Sequence, residues 1–570
     1  MAQRQKIETI SSAREEPHDA YKAARRAFRW DIPDQLNLGA AVLDEPASLD
    51  PSAIALIDGR SGEAYTFSDL AEEASRLSGA LMALGAERGN RVAIIAPQGV
   101  RTLIAHVAVL RAGLINVPLS ERYGRDALIH RMSDSGARFA LVSHAGLASL
   151  TAIADSLPRL ERIIALEGIS EKDSMGDGRH GVVTYDGLMA EHGQPCLPTA
   201  TAPDDPCLMI YTSGTTGPAK GALHGHRVLA GHMPGFRFAH SATPESMDAA
   251  LGYGTDAIFY TPADWAWAGG MLNLLFPALS EGCPVVFFAS SDRFDPTQTV
   301  KMMLDRRVTH AFLPPTALRL IRASTDQDLV RALPLRSVMA AGEALGRTTY
   351  DWAEQVFGFP INEAYGQTEC NLILGSSHQC GVTLPGATGV PVPGHTVAVV
   401  REDGTEADDN EMGEIAVCSP DPVSFLGYWN AQAATQRKYL MSPTLGRLLM
   451  TGDMAHRDAD GFIWFAGRDD DIITSSGHRI GPGEIENSLT AHPAVAAAAV
   501  VGVSDPVRTE IVRAFVVVRD GYEPTDALAQ TLQRHVRDTL SAHEYPRDIR
   551  FLDALPITTT GKIIRRLLKD

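Results

Sequence analysis

Apolar residues at Leu70, Ala74, Leu77, Ala80 and Leu81 recur at helical spacing, and the apolar run 92–96 follows them. That spacing predicts a helix feeding a short buried strand. The pattern repeats at once, with a helix around 101–112 and then an apolar stretch at 115–119. Helices alternating with short apolar strands predict a parallel sheet covered by helices on its faces. Residues 170–204, rich in Gly, Pro and acids, read as a loop excursion. A strand-like run, 207–211, resumes the alternation, which continues to about residue 390. From 389 to 468 the pattern changes to short strands at 396–400, 414–417 and 462–465, with turn signals at Asp403-Gly404 and Asp460-Gly461. Beyond Asp471 the pattern predicts a compact α+β unit, with strands at 496–503 and 514–518 and a helix near 528–540. Residues 1–50 read as an N-terminal extension carrying a helix at 21–30. The predicted fold class is α/β. A large N-terminal domain (51–469) would comprise two parallel-sheet α/β subdomains, 51–204 and 205–388, and a small β-barrel-like subdomain, 389–469. A C-terminal α+β domain (470–570) would follow.

Composition narrows the function classes. The chain has 570 residues, 45% of them apolar, so it can bury large cores. It has no run of roughly 18 uninterrupted apolar residues, so no membrane span is expected. Its first residues lack an apolar signal core and are too acidic for a transit peptide. A formal charge of −18 disfavours nucleic acid as a partner, because a polyanion needs a basic surface. It leaves room for one small polyanion held by a local loop. Six cysteines without CxxC spacing give neither a zinc pattern nor a disulfide scaffold, and a reducing cytoplasm is the expected setting.

The sharpest local signal follows the strand-like run: Tyr211, Thr212, Ser213, Gly214, Thr215, Thr216, Gly217, Pro218, Ala219, Lys220, Gly221. Glycines permit tight turns and close approach of the backbone to an anion. Consecutive N–H groups can form an anion-binding nest. The hydroxyls and Lys220 add further donors. The spacing is not that of a Walker A loop. A bare GTTG would read as a surface turn, but a phosphate cradle accounts better for the whole combination placed directly after a strand.

The chain resembles the adenylate-forming superfamily of acyl-CoA synthetases, adenylation domains and luciferases. Besides the glycine-rich loop, the likeness rests on Ala341-Gly342-Glu343, Tyr365-Gly366-Gln367-Thr368-Glu369, Thr451-Gly452-Asp453, Gly467-Arg468-Asp469-Asp470, Ser476-Gly477-His478-Arg479 and Thr560-Gly561-Lys562, in the family's order. It spans roughly residues 50–570. The N-terminal Ala-Arg-Arg-Ala-Phe-Arg-Trp30 and the run 423–429 are most similar to the medium-chain acyl-CoA synthetase branch. Two departures, Ala219 between Pro218 and Lys220, and Ile557 in place of a common lysine, remove no catalytic group.

The resemblance implies an ATP-dependent acid–thiol ligase that forms an acyl-adenylate and then a CoA thioester. Lys562, Lys220 and Arg468 would be its catalytic cations. The nucleotide would lie against Thr212–Gly217, Lys220, Gly342, Glu343, Ala344, Glu363, Ala364, Tyr365, Gly366, Gln367, Thr368, Glu369, Asp453, Arg468 and Lys562. Thr215 and Glu369 would hold Mg²⁺ through oxygens, as a hard cation requires. The mobile C-terminal domain would turn about Asp470, bringing Ser476, Gly477, His478 and Arg479 to CoA. Trp267, Gly270, Gly342 and Gly366 would line the acyl pocket. Gly366, a tryptophan in acetate-activating relatives, implies a medium-chain, branched or aromatic acid. It could instead be required for a left-handed backbone.

His224 and His226 divide evenly between site lining and plain structure, and Arg565, Arg566 and Lys569 read as a solvated basic face. Expected partners are the acid, ATP and CoA; homo-oligomerisation and acylation of Lys562 are further expectations. Rival readings are delivery to a carrier protein, an acyl-AMP ligase without free CoA, and a silent nucleotide-binding scaffold. The first would want an aspartate for the substrate amine near residue 264, in a setting that Ala263-Asp264-Trp265 does not match.

Overall fold

The computed structural model describes residues 19–168, 181–212, 218–241, 253–289, 294–468, 471–475, 478–505, 509–540, 545–557 and 563–569. The first predicted helix is Phe67–Ala83. Thr66 starts it with a capping box, accepting from the Asp69 amide while the Asp69 carboxylate takes the Thr66 amide. Its apolar stripe, including Leu70, Ala74, Leu77 and Leu81, is buried, and it delivers the strand Arg91–Ile95. The helix Val100–Arg111 is buried on almost every face because it lies between this sheet and its neighbours.

An eight-stranded sheet runs Gly427–Tyr428, Lys220–Gly225, Pro206–Thr212, Ile115–Pro118, Arg91–Ile95, Phe139–Val142, Arg162–Ala165, Gly181–Thr184. It is parallel from Pro206–Thr212 onward. A nine-stranded sheet runs Val390–Pro391, Cys370–Gly375, Asn362–Gln367, Ser337–Ala341, His310–Phe312, Phe259–Tyr260, Val285–Phe287, Ile54–Asp58, Ala64–Thr66. Its centre is parallel and its edges antiparallel. The small β unit is antiparallel, built on Gly446–Arg457. In the C-terminal unit, Thr509–Val518 pairs with Val495–Asp505, Ile473–Ser475 and Asp548–Phe551. The helices Pro482–Ala491 and Asp526–Thr539 cover it through Ile485, Leu489, Leu532 and Val536.

Three expectations need correction. The α/β part does not divide at residue 205: Pro206–Thr212 belongs to the first sheet and Ile54–Asp58 to the second. Strand pairing is a long-range choice that local periodicity does not carry. The described part of 170–204 is not all loop, since Gly181–Thr184 adds a parallel strand and Thr184 caps the helix Tyr185–His192 through the Gly187 amide. The extension is not separate from the body either. Its helix Asp19–Ala27 seats Tyr21, which donates to Pro391 O at 2.5 Å, and Trp30 donates to Gly394 O at 3.1 Å. No described helix is long and apolar enough to cross a membrane.

Candidate active site

Tyr365 and Gln367 lie two apart on the strand Asn362–Gln367, so both side chains turn to one face and meet one carboxylate. Tyr365 Oη and Gln367 Nε2 donate to Asp453 Oδ2 at 2.5 and 2.6 Å. Arg468, opposite Asp453 across the strand pair Gly446–Arg457 and Ile463–Arg468, donates Nη1 to Asp453 Oδ1 at 3.0 Å. Asp453 is only 4% exposed, and these donors offset the cost of burying its charge. Gly452 turns the chain just before it with φ +75°. Lys438 Nζ ties the same turn by donating to the carbonyls of Met450 and Thr451, both at 3.0 Å. Sequence reasoning missed Lys438, which lies in no motif.

Thr212 ends one strand and Lys220 begins the next; Ser213, Gly214, Thr215, Thr216 and Gly217 lie outside the described residues. Lys220 Nζ stands 5.6 Å from the Tyr428 ring centroid. Tyr428 donates to Glu369 Oε1, and Glu369 is 7% exposed. Tyr428 was also missed, although the run containing it carried part of the resemblance. His224, 1% exposed, lies beside the Thr368 backbone. His226 instead accepts from the Leu38 amide at 2.9 Å, a structural tie to the N-terminal segment.

The residues expected around the purine and the acyl group differ in what they touch. Gly342 follows the strand Ser337–Ala341 with φ +99°, and a Cβ there would meet no described atom within 4 Å. The Glu343 carboxylate accepts from Thr316 N at 3.0 Å and Arg319 Nη2 at 2.5 Å. It therefore anchors the helix Pro315–Ser324, and only the backbone of Gly342–Ala344 is left for a nucleotide. Burial pushes the Glu363 carboxyl up to about 7, and Ala364 follows it on the strand. Trp267 precedes the short helix Ala268–Gly270 and packs edge-on against Tyr123. A Cβ at Gly270 would run into the carbonyls of Asp264 and Ala263 at 2.5 and 2.7 Å. Gly270 is thus a packing glycine.

Gly366 is a correction. It has no left-handed backbone, and the space beside it is not open. A Cβ would lie 2.5 Å from Asn371 Cα and from Leu372 N, and 2.8 Å from Asn371 Oδ1. Glycine is required there because the next strand passes too close.

Lys562, Asp470, Ser476 and Gly477 lie outside the described residues, and of His478 and Arg479 the strand His478–Ile480 gives only the backbone. Arg565 is not a solvated cation: Nη2 pairs with both Glu486 oxygens at 2.9 Å, and Nη1 lies 3.6 Å from Asp471. Arg566 is exposed.

Burial lowers several histidines well below their ordinary value of 6.5: His224 and His310 to about 3, His106, His226 and His232 to about 4. Each is neutral in the fold and takes up a proton on unfolding once pH is below 6.5. Stability is therefore complete above pH 6.5 and falls as pH drops towards about 4, by up to about 1.4 kcal/mol per pH unit per group. Glu363, raised to about 7, and Glu45, Glu121 and Glu486, also raised by burial, act in the opposite sense above about 4.5, but the lowered histidines outnumber them. The denaturant midpoint is expected to be clearly lower at pH 5.5 than at pH 7.5. Equal midpoints would contradict this.

A family model described as AMP-binding enzyme matches residues 43–429, and one described as AMP-binding enzyme C-terminal domain matches 484–562. The acetyl-coenzyme A synthetase of Bacillus subtilis (strain 168) is 30% identical over 564 residues, 96% of this chain and 94% of that protein. The mitochondrial acyl-coenzyme A synthetase ACSM3 of Mus musculus is 28% identical, covering 96% of this chain and 93% of that one. Among solved structures, a benzoate CoA ligase from Burkholderia xenovorans LB400 superposes with TM-score 0.78 at 26% identity, covering 94% of this chain and all of the other (100%). An anthranilate CoA ligase in complex with anthranoyl-AMP gives TM-score 0.80 at 24% identity, covering 94% and 97%. The glycine-rich loop, the Asp453 cluster and both domain matches point the same way: the chain belongs to the AMP-binding enzymes of the adenylate-forming superfamily, as an acid–thiol ligase of the acyl-CoA synthetase group that uses ATP and CoA.

Proposed function

We propose that the chain converts a carboxylic acid larger than acetate — medium-chain, branched or aromatic — to its CoA thioester in two steps at one site. A carboxylate oxygen attacks the α-phosphorus of ATP and pyrophosphate leaves. The CoA sulfur, its proton lost, then attacks the acyl carbon and AMP leaves. The observation that carries the reading is the Asp453 carboxylate. It is held by Tyr365, Gln367 and Arg468 and suited to accept the ribose hydroxyls, as acidic residues do in other nucleotide sites. Lys220 and Lys562 would stabilise charge at the phosphates. One Glu369 oxygen is taken by Tyr428; with the other, Glu369 and Thr215 would hold Mg²⁺, which supplies charge neutralisation on the phosphates. The open space beside Gly342 and similarity to a benzoate ligase favour the larger acids over the acetate of the Bacillus relative. Rotation about Asp470 would exchange the two half-reactions.

The acid preference is tested by kcat/KM for thioester formation from acetate to octanoate, plus benzoate. An optimum beyond acetate is expected, and an optimum at acetate would reject the larger-acid reading. Thioester formed on free CoA would set aside the carrier-protein and CoA-independent alternatives. Replacing Asp453 with asparagine turns an acceptor into a donor facing Tyr365, Gln367 and Arg468. Losing a charged hydrogen bond costs about 1.5–3 kcal/mol, so KM for ATP is expected to rise roughly ten- to a hundredfold with KM for the acid little changed. A proportional rise in both would speak against ribose binding.

A further inference from the structure

Gly366 has a neighbour that no motif contains. The atom nearest the space a side chain there would fill, apart from backbone, is Asn371 Oδ1. Asn371 is 7% exposed and Asn273 only 3%. Leu372, immediately after Asn371, is buried with φ +56°, a conformation that costs a non-glycine residue free energy and clusters at functional sites. Asn371 Oδ1 supports that backbone by accepting the Leu372 amide at 2.9 Å, and Asn371 Nδ2 donates to Asn273 Oδ1. Both polar atoms of Asn371 are therefore engaged. In Asn273 only the oxygen is: its Nδ2 donates to no described residue.

The two asparagines share one face of the nine-stranded sheet. Asn273 sits in Met271–Leu275, the helical run that continues from Trp267 and Gly270. The helix Val228–His240 packs against that run and against the strand Cys370–Gly375. Asn273 thus lies on the helical run that starts after Trp267, an expected acyl-pocket residue, and its Nδ2 has no hydrogen-bond partner among the described residues. Its flanking residues Met271, Leu272, Leu274 and Leu275 are apolar and buried. An amide donor without a protein partner is satisfied by water or by a ligand, and a donor that meets a ligand gives it orientation and selectivity.

Resting on the acyl-CoA synthetase reading above, we infer that Asn273 is a specificity-determining residue, and that the acid carries a neutral oxygen acceptor, a hydroxyl, keto or ether group, beyond its carboxylate. The acceptor is neutral because a carboxamide N–H is an uncharged donor, and a second carboxylate beside the apolar Met271, Leu272, Leu274 and Leu275 would bear the full cost of burying a charge. A site built to hydrogen-bond a substrate group discriminates strongly against the analogue that lacks it.

The test compares oxygenated and plain acids of matched shape: 3-hydroxybutanoate with butanoate, 4-oxopentanoate with pentanoate, and the hydroxybenzoates with benzoate. Thioester kcat/KM is measured for wild type and Asn273→Leu. At least one oxygenated acid is expected to exceed its plain partner tenfold or more in wild type. In Asn273→Leu that ratio is expected to fall to one or below, with KM for ATP unchanged. Activation of plain acids at least as well as every oxygenated partner by wild type overturns the inference while the ligase reading stands, and needs no variant. An unchanged ratio in the variant overturns it too. Failure to form a thioester from any acid overturns the ligase reading and the inference with it. If Asn273→Leu does not fold, as judged by its thermal transition, Asn273→Ser serves as the variant with the same expected loss of ratio.

Discussion

Replacing Lys562 with alanine is expected to slow acyl-adenylate formation by at least about a hundredfold while leaving thioester formation from supplied acyl-adenylate and CoA largely intact. Negative charge concentrates at the α-phosphate as the carboxylate attacks, and removing one preorganised donor to such charge costs about 3 kcal/mol or more. Lys562 itself lies outside the described residues, but the chain on either side of it is pinned. Ile557 and Ile563 form a bridge, the Ile564 amide donates to Pro556 O at 2.9 Å, and Arg565 is fixed by Glu486. Rapid-quench measurement of each half-reaction separates the outcomes. Equal loss in both halves would show that the lysine acts on folding or on CoA rather than on adenylation. Acylation of Lys562 would remove the same charge and is expected to give the same split.

Gly366→Trp is expected to reduce activity more than a hundredfold with every acid, acetate included. The Cβ alone would stand 2.5 Å from two backbone atoms of the neighbouring strand, so the hairpin must open before the indole is placed. That hairpin carries Tyr365 and Gln367, the partners of Asp453. Overpacking typically costs about 1–3 kcal/mol, and a misplacement of about 1 Å at a site can cost on the order of a hundredfold. Gly366→Ala should show a milder form of the same uniform loss. The measurement is kcat/KM from acetate to octanoate together with the thermal midpoint. Activity retained or gained with acetate and lost with longer acids would mean that the glycine opens the acyl pocket after all.

Those two positions show how far a sequence carries such an account. Helices with a clean stripe, such as Phe67–Ala83 and Asp526–Thr539, and the glycine-rich loop after a strand were legible, because their signals are local. Gly446–Arg457 was not. It is buried along much of its length and breaks register between Met454 and Ala455, so it shows no period of two. The motif residues Asp453, Arg468, Tyr365 and Gln367 were legible as chemistry. That one carboxylate gathers the other three was not, since it depends on sheet pairing across about ninety residues. Lys438, Tyr428 and the Asn273–Asn371 pair act through contacts between distant segments and carry no signature of their own. Gly366 was read as space, because a sequence shows a missing side chain but not the strand that excludes it.

An acid activated as a mixed anhydride with AMP leaves one of its carboxylate oxygens on the nucleotide. The most direct measurement follows oxygen from a carboxylate labelled with ¹⁸O in both positions, incubated with the protein, ATP and CoA. The expected products are pyrophosphate, AMP carrying one ¹⁸O on its phosphoryl group, and a thioester retaining the other. Unlabelled AMP, or ADP with labelled inorganic phosphate, would contradict this route.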